Sequence, residues 1–243
     1  MKSRFCSVEL LSMSDSEILP VITLEQWRSI MDPVNWGHYA RTAEDIENNY
    51  RQTLGEISDF WKKGIINEGS KVLDIGSGNG RMGMVLKSYP IAQYVGIDPH
   101  ARSIEFCSDT LADDDRFSFR WIDLRNAQYN PKGKMKPTKF TIPFGDGSFD
   151  SVICCSLFSH IETLKVATRY LQEIERVLKP GGRFFSSWFR SPPNRPTKSA
   201  FRTVLKEQDI QTLFEPFHIY DNRGGMTEGF NDQWCIYAEK PKG

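Results

Sequence analysis

Gly76, Gly78 and Gly80 alternate within KVLDIGSGNGRMG, residues 71–83, directly after an apolar run. Glycine lets a backbone turn sharply after a strand and approach a ligand closely, because no Cβ intervenes. A carboxylate, Asp74, stands two residues ahead of the first glycine. A second, Asp98, ends the run YVGID, 22 residues after Gly76, and a third, Asp123, ends FRWID. Carboxylates accept hydrogen bonds, and the hydroxyls of a ribose and the amino group of an adenine donate them. The spacing therefore points to a nucleoside held across three strand ends, with Asp98 on the ribose, and Asp123 and the Leu124 N–H at the base. The plainer reading of Asp123 is a strand-end cap.

The loop satisfies two fingerprints. Gly78-x-Gly80-x-x-Gly83 fits a dinucleotide turn, and Gly76-x-Gly78-x-Gly80 behind Asp74 fits a turn for S-adenosylmethionine (SAM). The two cofactors differ in charge. A dinucleotide brings a pyrophosphate to the helix N-terminus, which Asp74 would repel. SAM carries a sulfonium and an ammonium group, which Asp74 attracts. The charge argument favours SAM. No Arg follows Asp98 directly, which weakens NADP further.

These residues need a scaffold, and the remaining pattern supplies one. After residue 70, short apolar runs alternate with helical periodicity, as in a parallel sheet with crossover helices. The expected strands are 71–75, 94–98, 117–123, 149–157 and 183–189. The stretch ETLKVATRYLQEIERVLKPGG reads as a helix stopped at Pro180-Gly181-Gly182. A helical stretch over 198–214 leads into two further strands, 217–221 and 233–239. Residues 1–66 form an N-terminal helical cap or extension, and 67–243 the cofactor-binding domain. TAEDIENNYRQTLGEISDFWKKGI places Ile46, Tyr50, Leu54, Ile57 and Trp61 on one helical stripe. Such a helix either packs on the sheet or covers the site, the latter helped by NWGHYAR at 35–41.

LDIGSGNGR, GIDP, the acidic end of the third run, IPFGDGSFDSVICCSLFSHI and EIERVLKPGGRFFSSWF follow in order and spacing. From about residue 71 to residue 189 the chain resembles the class I SAM-dependent methyltransferases. The resemblance implies an α/β fold: a doubly wound seven-stranded sheet, mostly parallel, with an antiparallel C-terminal hairpin edge. It implies SAM as cofactor, with Asp74, Gly76, Ser77, Gly78 and Gly80 around the methionine part. Asp98 and Pro99 then lie at the ribose, Asp123 and Leu124 at the adenine, and Ser156 in the same shell. YNPKGKMKPTKFTIPFGDGSFD is similar to a subset with a Pro/Gly-containing insertion before the fourth strand, often associated with glycan or natural-product modification.

The acceptor side rests on histidine, the usual base near neutral pH. Of His38, His100, His160 and His218, His160 is best placed, because it follows the fourth strand. It acts there as a general base on an acceptor hydroxyl, or it caps a helix and only packs. His38 would come down from the cap. The expected activity is O-methylation of a small molecule or glycan. The alternatives are N-methylation of an amino sugar or amine, and a SAM-binding subunit without catalysis. Four lysines in NPKGKMKPTK, 130–139, read as a solvated loop or as a lid for an acidic or glycan acceptor.

Bulk composition bounds these readings. Lys+Arg and Asp+Glu are 31 each, so no overall field draws nucleic acid or a membrane surface. No Asp/Asn-Pro-Pro-aromatic follows the fourth strand, as amine-methylating DNA enzymes of the family would show. No acidic cluster surrounds His160, so no metal is expected. No stretch reaches the length of a bilayer span, and the basic N-terminus is too acid-interrupted for a signal peptide. Five cysteines without a Cys-x-x-Cys fit a reducing, cytoplasmic setting.

Overall fold

Val72 buries its side chain on one face of the first strand and Leu73 on the other, and the alternation repeats in later strands. The computed structural model describes residues 22–31, 42–161, 163–190, 204–205, 207–224 and 233–243. Its strands are β1 (Lys71–Ile75), β2 (Gln93–Asp98), β3 (Phe117–Trp121), β4 (Phe149–Cys154), β5 (Leu178–Arg190), β6 (Val204–Leu205), β7 (His218–Gly224) and β8 (Gln233–Glu239). The sheet order is β3-β2-β1-β4-β5-β8-β7, with β6 paired to β5 off this path. Strands β1 to β5 run parallel, and β8 and β7 complete the edge antiparallel. The expected seven-stranded sheet forms, and the two-residue β6 is an addition to it.

The helices are α1 (Leu24–Ile30), α2 (Ala43–Lys62), α3 (Arg81–Leu86), α4 (Ala101–Thr110), α5 (Leu164–Val177) and α6 (Glu207–Leu213). Helix α5 buries Val166, Ala167, Tyr170, Leu171, Ile174 and Val177 against one face, with Leu73, Val152, Phe184 and Ile236. Helices α2 and α3 cover the other face, where Ile57, Phe60 and Val85 join Val72, Ile153, Phe185 and Tyr237. Thr42 and Asp45 start α2 with a reciprocal capping box, which satisfies two otherwise orphaned N–H groups. The buried side of α2 is Ile46, Thr53, Glu56, Ile57 and Phe60. Of the expected stripe, Tyr50, Leu54 and Trp61 pack only at its margin.

Several boundaries differ from expectation; β7, for one, runs from His218 to Gly224 rather than 217–221. β3 ends at Trp121 and β4 at Cys154, because Ile122, Leu124 and residues 155–157 leave the sheet to line a cleft. An apolar run does not mark where the backbone gives up its ladder hydrogen bonds. β5 starts at Leu178, which pairs with Phe149 before the register shifts around the Lys-Pro-Gly-Gly segment. The helix before β7 covers 207–213 of the expected 198–214; residues 198–203 and 206 lie outside the described residues. The described cysteines are all free. No described helix is long and apolar enough to cross a membrane.

Candidate active site

A cleft of about 250 Å³ opens at the carboxyl ends of β1 to β4. This edge is where open parallel sheets bind ligands. The turn after β1 forms its floor. Gly76 and Ser77 both donate backbone hydrogen bonds to the Ile97 carbonyl, at 2.8 and 3.2 Å. Gly78 N donates to Asp98 Oδ2 at 2.9 Å. Gly78 has φ 52°, in the left-handed region that side chains disfavour. A Cβ added there would meet no protein atom within 4 Å, so it would project into open space at the cleft.

Ser77 lies in the same floor and is 5% exposed. Its Oγ is buried without a hydrogen-bond partner. An orphaned buried hydroxyl costs about 1–3 kcal/mol, so a ligand in the cleft that partnered Ser77 would gain from it. Asp98 lines the cleft beside it. Its Oδ1 accepts from His100 N at 2.7 Å, while Oδ2 holds Gly78. Each oxygen keeps a further lone pair for a ligand donor. Burial pushes the Asp98 carboxyl above the usual range, against the two backbone hydrogen bonds that lower it. The turn, the unpartnered hydroxyl and the carboxylate together fit a nucleoside cofactor.

Two of the three carboxylates sit elsewhere. Asp74 is 2% exposed, accepts a hydrogen bond from the Tyr94 hydroxyl, and is not among the cleft-lining residues. Burial pushes its pKa up to about 7, so near neutral pH the carboxyl beneath the turn is only partly charged. The sign of the linkage follows. The unfolded carboxyl ionises near its ordinary ~3.9, so folding becomes less favourable as pH rises from there to about 7. Asp74→Asn keeps an acceptor for Tyr94 without the charge. Thermal melts of the ligand-free variant should lie above wild type at pH 8, and the gap should close toward pH 4. A variant that melts lower at pH 8 contradicts this.

Asp123 is also absent from the cleft wall. Its Oδ1 accepts from Lys134 N at 3.2 Å and Asn130 Nδ2 at 3.3 Å, so it fastens the loop after β3. Leu124 does line the cleft, but its N–H donates to the Ile122 carbonyl at 2.6 Å. The plainer capping reading of Asp123 matches this placement. Gly76, Ser77, Gly78, Asp98, Pro99, Leu124 and Ser156 all line the cleft; Gly80 instead starts α3. Ser156 takes φ 58°, a strained value for a residue with a Cβ, and its N–H donates to Ser187 Oγ at 2.7 Å.

His160 is exposed at the lip of the cleft, in a short 3₁₀ turn over Phe158–His160. Its ring meets the edge of Tyr129, with centroids 5.6 Å apart, and Tyr129 lies 6.0 Å from His100. His218 is on the outermost strand. His38 lies outside the described residues, as does the NWGHYAR cluster.

The sequence offered α2 as a possible cover of the site but singled out none of the α2 residues that line it. Asn49 and Gln52 line the cleft. Arg81, also in its wall, pairs with buried Glu56 and donates to Thr53 Oγ1 at 3.0 Å; Gln52 Nε2 holds the other Glu56 oxygen at 3.0 Å. A glutamate next to the apolar Ile57 was the available signal, since a buried carboxylate demands a cationic partner. Tyr129, Phe140 and Tyr170 carried no comparable mark.

Residues 73–186 match the family model described as "Methyltransferase domain". The chain is 27% identical over 175 residues to thiol S-methyltransferase TMT1B of Rattus norvegicus, covering 69% of this chain and 61% of that protein. It is 32% identical over 126 residues to demethylmenaquinone methyltransferase of Clavibacter sepedonicus, covering 51% and 43%. The chain thus spans only part of the length of these relatives. Among solved structures, a SAM-dependent methyltransferase of Methanosarcina mazei is 18% identical, with TM-score 0.55 over 74% of this chain and 96% of that one. The [4+2]-cyclase SpnF is 16% identical, with TM-score 0.59 over 93% and 99%. At such identities the likeness is one of fold.

Proposed function

We propose that this chain, whose residues 73–186 match a methyltransferase domain, is a class I, Rossmann-like SAM-dependent methyltransferase that methylates a hydroxyl group of a small molecule or glycan. The observation that carries the reading is the cleft floor: an unpartnered Ser77 hydroxyl, an open Gly78 and the Asp98 carboxylate face one space. When bound, SAM supplies an electrophilic methyl group on a sulfonium centre. Asp98 holds the ribose hydroxyls while it fixes the turn, and Ser77 gains its missing partner. Ile97, Ile122 and Leu124 shield the base from water. Asn49 and Gln52 from α2 offer polar groups to the acceptor. His160 takes the acceptor's proton. Much of the rate comes from alignment, which is worth up to about 7–11 kcal/mol in well-oriented systems.

Gly78→Ala tests the floor. The backbone cost of a left-handed alanine is about 1–2 kcal/mol, so the variant should fold. Its methyl group occupies the space intended for the cofactor, and calorimetry should show SAM bound roughly tenfold more weakly, a loss of about 1.4 kcal/mol. Unchanged affinity would remove the turn from the cofactor site.

The relatives support a second reading of the acceptor. One is named for a thiol and another for demethylmenaquinone, so a sulfur or carbon nucleophile competes with the hydroxyl. N-methylation of an amine needs no strong base and would leave His160 dispensable. Labelled SAM offered with sugar, phenol, thiol, quinol, amine and carboxylate acceptors separates them. Label in the phenol or sugar is expected. Label only in the thiol, quinol or amine overturns O-methylation, and SAM binding without transfer to any acceptor favours a non-catalytic subunit.

A further inference from the structure

Residues 124–145 carry Arg125, Lys132, Lys134, Lys136 and Lys139 and not one acidic residue, in a chain whose charges cancel over its full length. All five cations are exposed. None takes part in an ion pair among the described residues. Some surface charges elsewhere are paired, as in Arg28–Glu47 and Lys179–Asp150.

The segment is a built loop. Asn126 Oδ1 accepts from Gln128 N and Tyr129 N, each at 3.0 Å, and Asn126 and Asn130 exchange backbone hydrogen bonds. Arg125 N donates to Met135 O at 2.8 Å, and Met135 N to Asp123 O at 2.8 Å. Gly133 is buried where the two sides close, and a Cβ there would stand 2.6 Å from the backbone of Leu124 and Arg125. This framework seats the half-buried Tyr129 in the cleft wall, edge-on to His160. Lys134 and Lys136 flank Met135, which bridges to Leu124, itself a cleft residue.

We propose that the 124–139 loop is the acceptor-recognition element and that the acceptor is an aromatic hydroxy acid. Tyr129 packs on its ring, and the lysines attract its carboxylate. The proposal rests on the methyltransferase reading of the cleft. Aromatic pairs favour tilted and offset geometry, and the Tyr129 ring offers its surface beside the proposed base. Single exposed charges contribute little. A unipolar loop at the mouth of a cleft concentrates anions there, in a manner that salt screens.

The test uses the intact protein loaded with S-adenosylhomocysteine and two probes, para-hydroxyphenylpropionate and its alcohol, para-hydroxyphenylpropanol, followed by NMR titration. Wild type should bind the acid roughly tenfold more tightly than the alcohol at low salt, and the preference should shrink as salt rises. Joint replacement Lys132→Gln, Lys134→Gln, Lys136→Gln and Lys139→Gln should erase the preference without changing alcohol binding. Tyr129→Ala should weaken both probes by roughly tenfold, and Tyr129→Phe should restore them; melting curves check that each variant folds. Equal binding of the probes, no binding of the acid at millimolar concentration, or a preference that survives the lysine replacements overturns the proposal. Wild type that binds S-adenosylhomocysteine but shows no acid preference sinks only this proposal. Failure to bind S-adenosylhomocysteine sinks the methyltransferase reading, and this proposal with it.

Discussion

Asp98→Ala is expected to weaken SAM binding by at least a hundredfold while the sheet still folds. Hydrogen bonds to a charged group contribute about 1.5–3 kcal/mol each, and two from a ribose diol therefore account for roughly two or more decades in affinity. The structure adds a second cause. Asp98 also accepts from Gly78 N and His100 N, so its loss releases the turn that carries Ser77 as well as the contact itself. Asp98→Asn offers one acceptor oxygen against two N–H groups and should fall between wild type and alanine. The fold should survive because the β1–β2 register does not run through this side chain. Calorimetry is the measurement. A Kd within threefold of wild type would take Asp98 out of the cofactor site; a melt below that of any folded sample would transfer the effect to stability.

The part of this site that could be read beforehand is the part written in backbone constraints. Gly76 and Gly78 stand where the chain takes positive φ, and Asp98 stands where β2 ends on the cleft. Both follow from local rules linking residue type to turn geometry and strand length. The antiparallel edge was legible for the same reason, since β8 ends where its apolar run ends. Asp74 and Asp123 show the limit. Each ends an apolar run, as Asp98 does, yet one is turned inward to Tyr94 and the other is spent on fastening the following loop. Spacing places a residue at a strand end, but whether its side chain faces ligand, core or loop depends on a partner far away in sequence. Tyr94 is 20 residues from Asp74, and Lys134 is 11 from Asp123.

The same reason left open which α2 residues reach the site. Asn49 and Gln52 lie on a helix whose amphipathic pattern is satisfied by packing on the sheet alone. Arg81 ties that helix to the start of α3 through Glu56 and Thr53. The lysine loop was visible as composition, but its bearing on the cleft came from Tyr129, whose position depends on Asn126 and Gly133.

His160→Ala is expected to lower kcat by about 10²–10⁴-fold, the usual worth of general-base assistance, with SAM affinity nearly unchanged. The geometry behind this is specific. His160 lies past β4 on the same cleft as Asp98 and Ser77, but exposed at the lip and in edge contact with Tyr129. A base that must hand its proton to solvent after each turnover is well served by that exposure. Removing it takes away no cofactor contact, which is why binding and rate should separate. The pH profile supplies the second readout. If neutral imidazole is the working form, kcat of the wild type falls on the acid side as the ring gains a proton, and the alanine variant loses that limb. His160→Gln keeps a hydrogen-bonding side chain that cannot take up a proton in this range. A base requires glutamine to be as slow as alanine; a purely orienting histidine allows glutamine to recover most of the rate. That recovery, or an acid limb that persists in the alanine variant, would assign proton removal to another group and shift the balance toward a sulfur or nitrogen acceptor that needs no such help.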